Sequence, residues 1–301
     1  MRIFTAICAH KNYLIRDGDA TNAFAQAAPP TEPTFVRVDH QYQNWYRERH
    51  GKHVDLDMLL PVQHALQGHP ESGRLWQEKI DPALAKLGFV NSKVAPCLYR
   101  GDFEGEEVII CRQVDDFKIG SAKRTAIDKV IAAIGAEVRF VGNKDLLTRF
   151  NGVDYEQTRE YIRIHSESYI DKILAAHGWT VPNRDATSII EPIHPQAVKE
   201  LELIIGPLAE TPEAIALEKK WGFTYRQCLG ELIYAFITTR PDIGPAVATL
   251  AKFSAYPADC HYVAVKRLYR YLRQTRTMGV VYWRSEPRMD LPLGDVKRRP
   301  L

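Results

Sequence analysis

The sequence predicts an α+β fold in which helices alternate with antiparallel strands. Short apolar strands joined by turn residues recur through the first 178 residues, and amphipathic helical segments separate them. From residue 223 onward the pattern becomes almost wholly helical. Because a parallel sheet needs a crossover connection between neighbouring strands, this alternation favours an antiparallel sheet with helices over a wound parallel sheet.

The segments of the first 178 residues support this fold class in chain order. Residues 2–12 suit a short helix that runs into an extended segment at 13–17, and consecutive prolines at 29–30 precede an alternating strand at 35–39. The further predicted segments are a helix over 72–87 capped by Gly88, a hairpin of 97–100 with 107–114, a strand over 117–120, a helix over 122–134, strands over 137–141, 146–153 and 161–165, and a helix over 169–177.

The remainder of the chain divides into an irregular part and a helical part. Five prolines and poor periodicity predict a linker over residues 179–222. Helices are predicted over 225–238, 242–254 and 258–275, the last two with prolines at their starts, and a strand is predicted over 279–283. The predicted organisation is therefore 1–178, a linker over 179–222, a helical segment over 223–276, and a strand with a basic tail over 277–301.

Composition excludes several classes of protein. With 45% hydrophobic and 26% charged residues, the chain of 301 residues is long enough to bury a sizeable core, and its formal net charge of +3 excludes a polybasic protein. Its five cysteines form no CxxC pair, so we expect neither a disulfide scaffold nor a structural zinc site. The N-terminal stretch resembles neither a signal peptide nor a membrane span, which predicts a cytoplasmic or nuclear protein that does not contact a membrane.

The residues with the most chemistry are the adjacent carboxylates of Asp115 and Asp116, which stand between two apolar strands. Two such groups repel each other and resist burial, and a divalent cation such as Mg²⁺ is the usual partner that neutralises them. A solvated Asp-Asp turn is the simpler interpretation of this pair alone, because aspartate is a common turn residue.

A second acidic pair, Asp17 and Asp19, lies at the end of another apolar strand. If the two strands were neighbours in one sheet, their carboxylates would clamp two metal ions about 3.5–4 Å apart, as in phosphoryl transfer. From the residues alone, whether these strands are neighbours stays open.

Several segments, in order, resemble the reverse transcriptase domain of copia-type retrotransposon polyproteins. Residues 19–24 (DATNAF) are similar to the family's D-V-K-T-A-F motif, and residues 113–116 (QVDD) stand where the family has Y-V-D-D. The other matching segments are 65–76 (ALQGHPESGRLW), 87–99 (LGF to PCLY), 150–154 (FNGVD), 225–234 (YRQCLGELIY), 239–243 (TRPDI) and 266–272 (KRLYRYL).

This resemblance implies a polymerase palm over residues 1–178, with a partial fingers insertion at about 36–95, and a thumb-like or connection-like helical segment over 223–276. It implies two Mg²⁺ or Mn²⁺ ions held by Asp19, Asp115 and Asp116. The implied reaction is attack of a primer 3′-hydroxyl on a deoxynucleoside triphosphate. The implied partners are an RNA or DNA template with its primer, the triphosphates, and other segments of the Pol polyprotein.

The resemblance also implies roles for residues that bind nucleotide, primer and backbone. Those near the incoming nucleotide and its sugar are Phe24, Gln67 and Gly68. Those that contact the primer are Gln113, Phe150, Asn151 and Gly152. Those that contact the nucleic-acid backbone are Lys266, Arg267, Arg270 and Arg273. A core phenylalanine is the alternative for Phe24, and an amphipathic helix with a solvated basic face is the alternative for the last group.

The sequence departs from the family pattern in two ways. It begins just before the first aspartate motif and ends before any ribonuclease H signature, so we expect a fragment truncated at both ends. Gln67 and Gln113 stand where tyrosine is usual, and a glutamine at 113 cannot stack on a primer nucleotide. Two hypotheses therefore stay open, namely a reverse transcriptase fragment and a catalytically inactive nucleic-acid-binding remnant.

Overall fold

A computed structural model of the chain describes residues 2–180, 189 and 191–294. The chain divides into two compact units, Met1–Leu147 and Thr148–Leu301. Each combines helices with an antiparallel sheet, which confirms the predicted α+β class. The predicted boundary at residue 178 differs from this division, because the strands after Leu147 pair with one another and not with the first sheet.

The first unit is built on a six-stranded antiparallel sheet. Its elements in chain order are α1 (Arg2–His10), β1 (Leu14–Ala20), β2 (Phe35–Arg37), α2 (His40–His50), β3 (Leu59–Pro61), α3 (Ser72–Lys86), β4 (Val90–Asn91), β5 (Leu98–Phe103), β6 (Glu106–Gln113), β7 (Asp116–Ser121), α4 (Arg124–Glu137) and β8 (Phe140–Gly142). The sheet has the strand order β4-β5-β6-β7-β1-β8, and β2 and β3 form a separate pair. The sequence predicts most of these elements to within a few residues.

Helices cover both faces of this sheet. Phe4 and Cys8 of α1 pack closely over Gly120 of β7, where an added Cβ would lie 2.7 Å from the Cys8 Sγ. On β1, the buried Arg16 forms an ion pair with Asp128 of α4 and donates from Nε to the Asn143 carbonyl at 2.9 Å. The central strands are thereby fixed between α1 and α4.

Helix α2 is one of the elements that the sequence does not predict. Its segment is polar and aromatic and has no apolar face, and it forms a helix in which no residue is buried. The Asp39 side chain accepts a hydrogen bond from the backbone N–H of Tyr42 at 2.7 Å, and Gly51 ends the helix at a φ of +64°. The helix is therefore defined by its caps and not by an apolar face.

The second unit contains a four-stranded sheet and a cluster of helices. Its elements in chain order are β9 (Arg149–Phe150), β10 (Val153–Gln157), β11 (Tyr161–His165), α5 (Glu167–Ala176), α6 (Pro195–Glu202), α7 (Pro212–Trp221), α8 (Tyr225–Thr238), α9 (Gly244–Ala251), α10 (Asp259–Gln274) and β12 (Gly279–Trp283). The strand order is β12-β11-β10-β9. Helices α5, α8, α9 and α10 bury one apolar core. Among the described helices of the chain, none is long and apolar enough to cross a membrane.

The segment predicted as an irregular linker contains two helices, α6 and α7. Each begins with proline. The side chains of His194 and Thr211 cap their N-termini by accepting hydrogen bonds from backbone N–H groups of the first turn. Proline is favoured in the first helical turn, so these prolines start helices here and do not break them. Residues 181–188 and 190 of the predicted linker and 295–301 of the predicted tail lie outside the described residues.

A buried arginine joins the ends of α8 and α10. Arg240 is 0% exposed and donates to both Asp242 carboxylate oxygens, at 2.9 and 2.7 Å. It also donates to the carbonyl and the hydroxyl of Thr275, at 3.1 and 2.7 Å. Burial alone would raise the pKa of Asp242, but the hydrogen bond and charge of Arg240 hold that pKa below its ordinary value.

We expect Arg240→Ala to lower the free energy of unfolding by about 3 kcal/mol, because it leaves Asp242 without its cation and Thr275 without its donors. The matched control is Arg276→Ala, whose exposed ion pair with Asp171 contributes less than about 1 kcal/mol. Urea unfolding at several pH values measures both. Because the pKa of Asp242 is lowered in the folded chain, the effect of Arg240→Ala should shrink as pH falls below about 4. An equal loss from both variants would contradict the assignment.

Candidate active site

The sheet register brings the predicted aspartates together. Strand β1 pairs with β7 so that Asp19 lies opposite Asp116. Strands β6 and β7 form a hairpin in which Gln113 lies opposite Asp116, leaving Val114 and Asp115 as a two-residue turn. The backbone N–H of Ala20 donates to the Asp115 carbonyl at 2.9 Å. The two acidic strands are therefore neighbours, which is the relation that the sequence leaves open.

The turn that carries Asp115 is strained. Val114 has a φ of +57°, a conformation that β-branched residues rarely adopt. Its carbonyl accepts a hydrogen bond from the indole Nε1 of Trp76 at 2.8 Å and lies 3.4 Å from Nη1 of Arg112. Since Trp76 and Arg112 are both buried, these donors hold the turn that carries Asp115.

The site concentrates negative charge. Partial desolvation of its carboxylate raises the pKa of Asp19, and the charge of Asp115 raises it further. Burial also raises the pKa of Asp116, and the charges of Asp115, Asp19 and Asp17 add to this effect. The fold thus pays an electrostatic cost to hold these carboxylates at one edge of the sheet.

The donor set fits a hard divalent cation. The side chain of Asp19 is exposed, and those of Asp115 and Asp116 are partly exposed, so their oxygens are open to solvent. Mg²⁺ and Mn²⁺ prefer carboxylate oxygens and keep water or phosphate in their remaining positions. The residues present therefore match the ions that the family pattern implies.

Phe24 lies close to the aspartates in the chain, in a short 3-10 helix (Ala23–Gln26) directly after β1. It is half-buried and packs against the small apolar cluster of Ala27, Ala65 and Leu75. The loop before α3 carries Gln67 and Gly68, both exposed, with Gly68 at a φ of +91°. Because Ala65 belongs both to the apolar cluster and to the start of this loop, Phe24 packs against the start of the loop.

The predicted primer contacts are divided between the two units. Gln113 is exposed at the end of β6, beside the aspartate turn. Phe150, Asn151 and Gly152 belong to the second unit, where Asn151 and Gly152 form a two-residue hairpin turn with φ values of +48° and +74°. The Tyr234 hydroxyl donates to the Asn151 carbonyl at 2.5 Å, which fixes this turn against α8.

The predicted basic stripe on α10 makes contacts within the second unit. The ammonium of Lys266 lies over the rings of Trp179, Trp221 and Phe223, at 5.6, 5.4 and 5.9 Å from their centroids. Arg273 donates to the Trp179 carbonyl at 3.0 Å.

The other two basic residues of this stripe are partly exposed. Arg267 donates to the Glu191 carbonyl at 3.4 Å, and Arg270 is half-buried. The opposite face of α10, with Val265, Leu268 and Leu272, is buried as the periodicity predicts.

Sequence reasoning missed the role of Arg112. This arginine is buried on β6, and its Nη2 lies 3.2 Å from the Tyr99 hydroxyl and 3.3 Å from a carboxylate oxygen of Asp81 on α3. It joins the aspartate turn to α3, which also carries Trp76. The sequence offered one sign of this role, because Arg112 is a charged residue that interrupts the apolar run before the acidic pair.

Known proteins match this chain over most of its length. The model of the family described as "Reverse transcriptase (RNA-dependent DNA polymerase)" matches residues 1–191. The chain is 25% identical to the Retrovirus-related Pol polyprotein from transposon TNT 1-94 of Nicotiana tabacum over 239 residues, which are 76% of this chain and 17% of that polyprotein. It is 24% identical to the Retrovirus-related Pol polyprotein from transposon RE2 of Arabidopsis thaliana, covering 93% of this chain and 17% of the polyprotein.

The match extends over a larger share of a shorter relative. The putative transposon Ty5-1 protein of Saccharomyces cerevisiae is 24% identical over 259 residues, which are 83% of this chain and 74% of that protein. The family match extends over more than half of the chain and includes all three aspartates. The chain belongs to the reverse transcriptase (RNA-dependent DNA polymerase) family and is similar along most of its length to the copia-type retrotransposon polyproteins.

Proposed function

We propose that this chain carries the nucleotidyl-transfer centre of an RNA-directed DNA polymerase. The observation that carries the proposal is the gathering of Asp19, Asp115 and Asp116 at one edge of the sheet by the β1–β7 pairing and the β6–β7 hairpin. Two segments about 100 residues apart in the chain thus supply one oxygen-rich site, as two-metal phosphoryl transfer requires.

In this proposal the three aspartates hold two Mg²⁺ or Mn²⁺ ions. When bound, such ions lower the pKa of an attacking hydroxyl and stabilise the leaving oxygens. The chain contributes by holding the carboxylates in place before any ion or substrate arrives. Trp76 and Arg112 do this through the Val114 carbonyl, so little reorganisation is needed at the moment of reaction.

The proposed substrates are a primed RNA or DNA template and deoxynucleoside triphosphates. We assign Phe24, Gln67 and Gly68 to contacts with the nucleotide and its sugar. The half-buried ring of Phe24 follows β1, the strand that carries Asp19. The proposed primer contacts are Gln113, Phe150, Asn151 and Gly152. The proposed backbone contacts are Lys266, Arg267, Arg270 and Arg273. Association with other segments of a Pol polyprotein belongs to the same proposal.

A second candidate, nucleic-acid binding without nucleotide incorporation, is favoured by Gln113. Its exposed side chain offers hydrogen bonds but no ring for stacking beside the aspartate turn. Filter binding to a primer-template separates the two candidates. A polymerase gains stability on the duplex when the correct deoxynucleotide is added, whereas a remnant binds equally with and without it.

The first prediction from this proposal concerns Asp115. Asp115→Asn removes a charged ligand from the site, and the loss of several kcal/mol of transition-state stabilisation corresponds to a fall of about 100-fold or more in Mg²⁺-dependent primer extension. Asp145→Asn, an exposed substitution after the same sheet, should leave the rate unchanged. Extension of an oligo(dT) primer on poly(rA), with EDTA as the blank, measures both. Equal rates for Asp115→Asn and the wild type would overturn the proposal.

The second prediction concerns stability. Because the folded chain raises the pKa of Asp116, the charged carboxylate costs stability at neutral pH. In EDTA, Asp116→Asn should therefore raise the thermal midpoint by about 2–4 °C, whereas Asp145→Asn should not. Because the pKa of Asp116 is shifted upward, this gain should vanish as pH falls and the wild-type carboxyl becomes protonated. Mg²⁺ should remove the gain, since it neutralises Asp116. A gain that persists in Mg²⁺ would argue against ion binding by this residue.

The third prediction concerns sugar selection. Phe24→Val shortens the side chain that we place beside the sugar, so use of ribonucleotides relative to deoxynucleotides should rise about tenfold or more. Phe35→Val on β2 is the matched control, because Phe35 is exposed and lies outside the site. Single-nucleotide incorporation gives both ratios. An unchanged ratio with normal deoxynucleotide incorporation would assign Phe24 to packing alone.

A further inference from the structure

A second group of metal-ligating side chains lies in the helical part of the second unit, apart from the aspartates. His177, Cys228 and Glu231 converge so that one ligand atom from each lies within 4.8 Å of the others. The His177 Nε2 is 2.9 Å from a Glu231 carboxylate oxygen and 3.6 Å from the Cys228 Sγ. These are an imidazole nitrogen, a thiol sulfur and a carboxylate oxygen, the three donor types found in zinc sites.

The local structure explains why these side chains meet. Cys228 and Glu231 are three residues apart on α8, so they lie on the same face of that helix. His177 follows the last residue of α5, and Gly178 turns the chain away at a φ of +68°. The histidine ring is thereby placed against α8, although 51 residues separate it from the cysteine.

Neighbouring groups orient two of the three side chains. The Tyr269 hydroxyl donates to the Glu231 oxygen that faces His177, and the Gln227 amide donates to the other oxygen at 3.2 Å. The indole of Trp179 stacks on the His177 ring, with centroids 4.6 Å apart. Such outer contacts are typical of metal sites, where they fix the direction of the ligands.

The distances suit a small tetrahedral ion. With zinc bonds of about 2.0–2.3 Å, the donor atoms of a tetrahedral site lie roughly 3.3–3.8 Å apart. The observed separations of 2.9 and 3.6 Å lie close to that range, and all three donor atoms lie within 4.8 Å of one another, so side-chain shifts of about 1 Å are enough to admit the ion. A thiolate and an imidazole disfavour Mg²⁺, which takes oxygen ligands.

We propose that His177, Cys228 and Glu231 form a Zn²⁺ site with three protein ligands and a water in the fourth position. Cys228 is fully buried, and its thiol must lose its proton to become a zinc ligand. Zinc binding then releases that proton to solvent. The bound ion joins the end of α5 to the middle of α8. The sequence predicted no structural zinc site because His177 lies far from Cys228 in the chain.

The test is a titration of the full chain with Co²⁺, followed by displacement with Zn²⁺, in excess Mg²⁺ that occupies oxygen-only sites. We expect a cobalt–thiolate charge-transfer band that saturates at one ion per chain. Cys228→Ser should abolish the band, whereas Cys260→Ser, which removes another cysteine of the same unit, should keep it. Asp115→Asn should also keep it, which separates this site from the proposed polymerase centre.

A second measurement does not depend on the cysteine variant. Zn²⁺ should raise the thermal midpoint of the wild type, and Glu231→Gln should weaken zinc affinity at least tenfold. Glu213→Gln, on the exposed side of α7, is its control and should behave as the wild type. Absence of the band in the wild type, its persistence in Cys228→Ser, or equal zinc affinity in Glu231→Gln would each reduce the group to a hydrogen-bonded cluster and overturn the proposal.

Discussion

Mutual repulsion among the carboxylates of Asp19, Asp115 and Asp116 is the constraint to which the rest of the first unit responds. Left free, these groups would separate. Desolvation first, and then the charges of the neighbouring aspartates, raise the pKa values of Asp19 and Asp116. The backbone sets their positions, since the β1–β7 register places Asp19 opposite Asp116 and the two-residue turn carries Asp115 next to Asp116. The unfavourable conformation of Val114 is a second cost of the same arrangement, and it persists because two buried side chains hold its carbonyl.

Much of this site follows from local sequence patterns. Apolar runs on either side of Asp115 predict the strands β6 and β7, and the helical spacing of Leu75, Trp76 and Ile80 predicts α3. What local pattern cannot supply is the adjacency of β1 and β7, because about 100 residues separate them. The hydrogen bond from Trp76 to the turn cannot be predicted from local pattern either. A buried tryptophan at helical spacing is explained equally well by packing alone.

The second unit shows how one residue type supports opposite predictions. The prolines predict an irregular linker over 179–222, yet Pro195 and Pro212 start helices, since a missing N–H costs nothing in a first turn. Lys266 is a similar case. Helical geometry places it on a polar stripe, but three aromatic rings from distant segments surround its ammonium, and no periodicity within α10 reports them.

The pairing of β12 with β11 has a consequence for how the second unit forms. Residues 279–283 complete a sheet whose other strands end at residue 165, so more than 100 residues must be synthesised before that edge is covered. Until then β11 presents unpaired backbone groups, which makes it a site for mispairing with another chain. The described helices of this unit end at Gln274, so all of them are synthesised before the strand that completes the sheet.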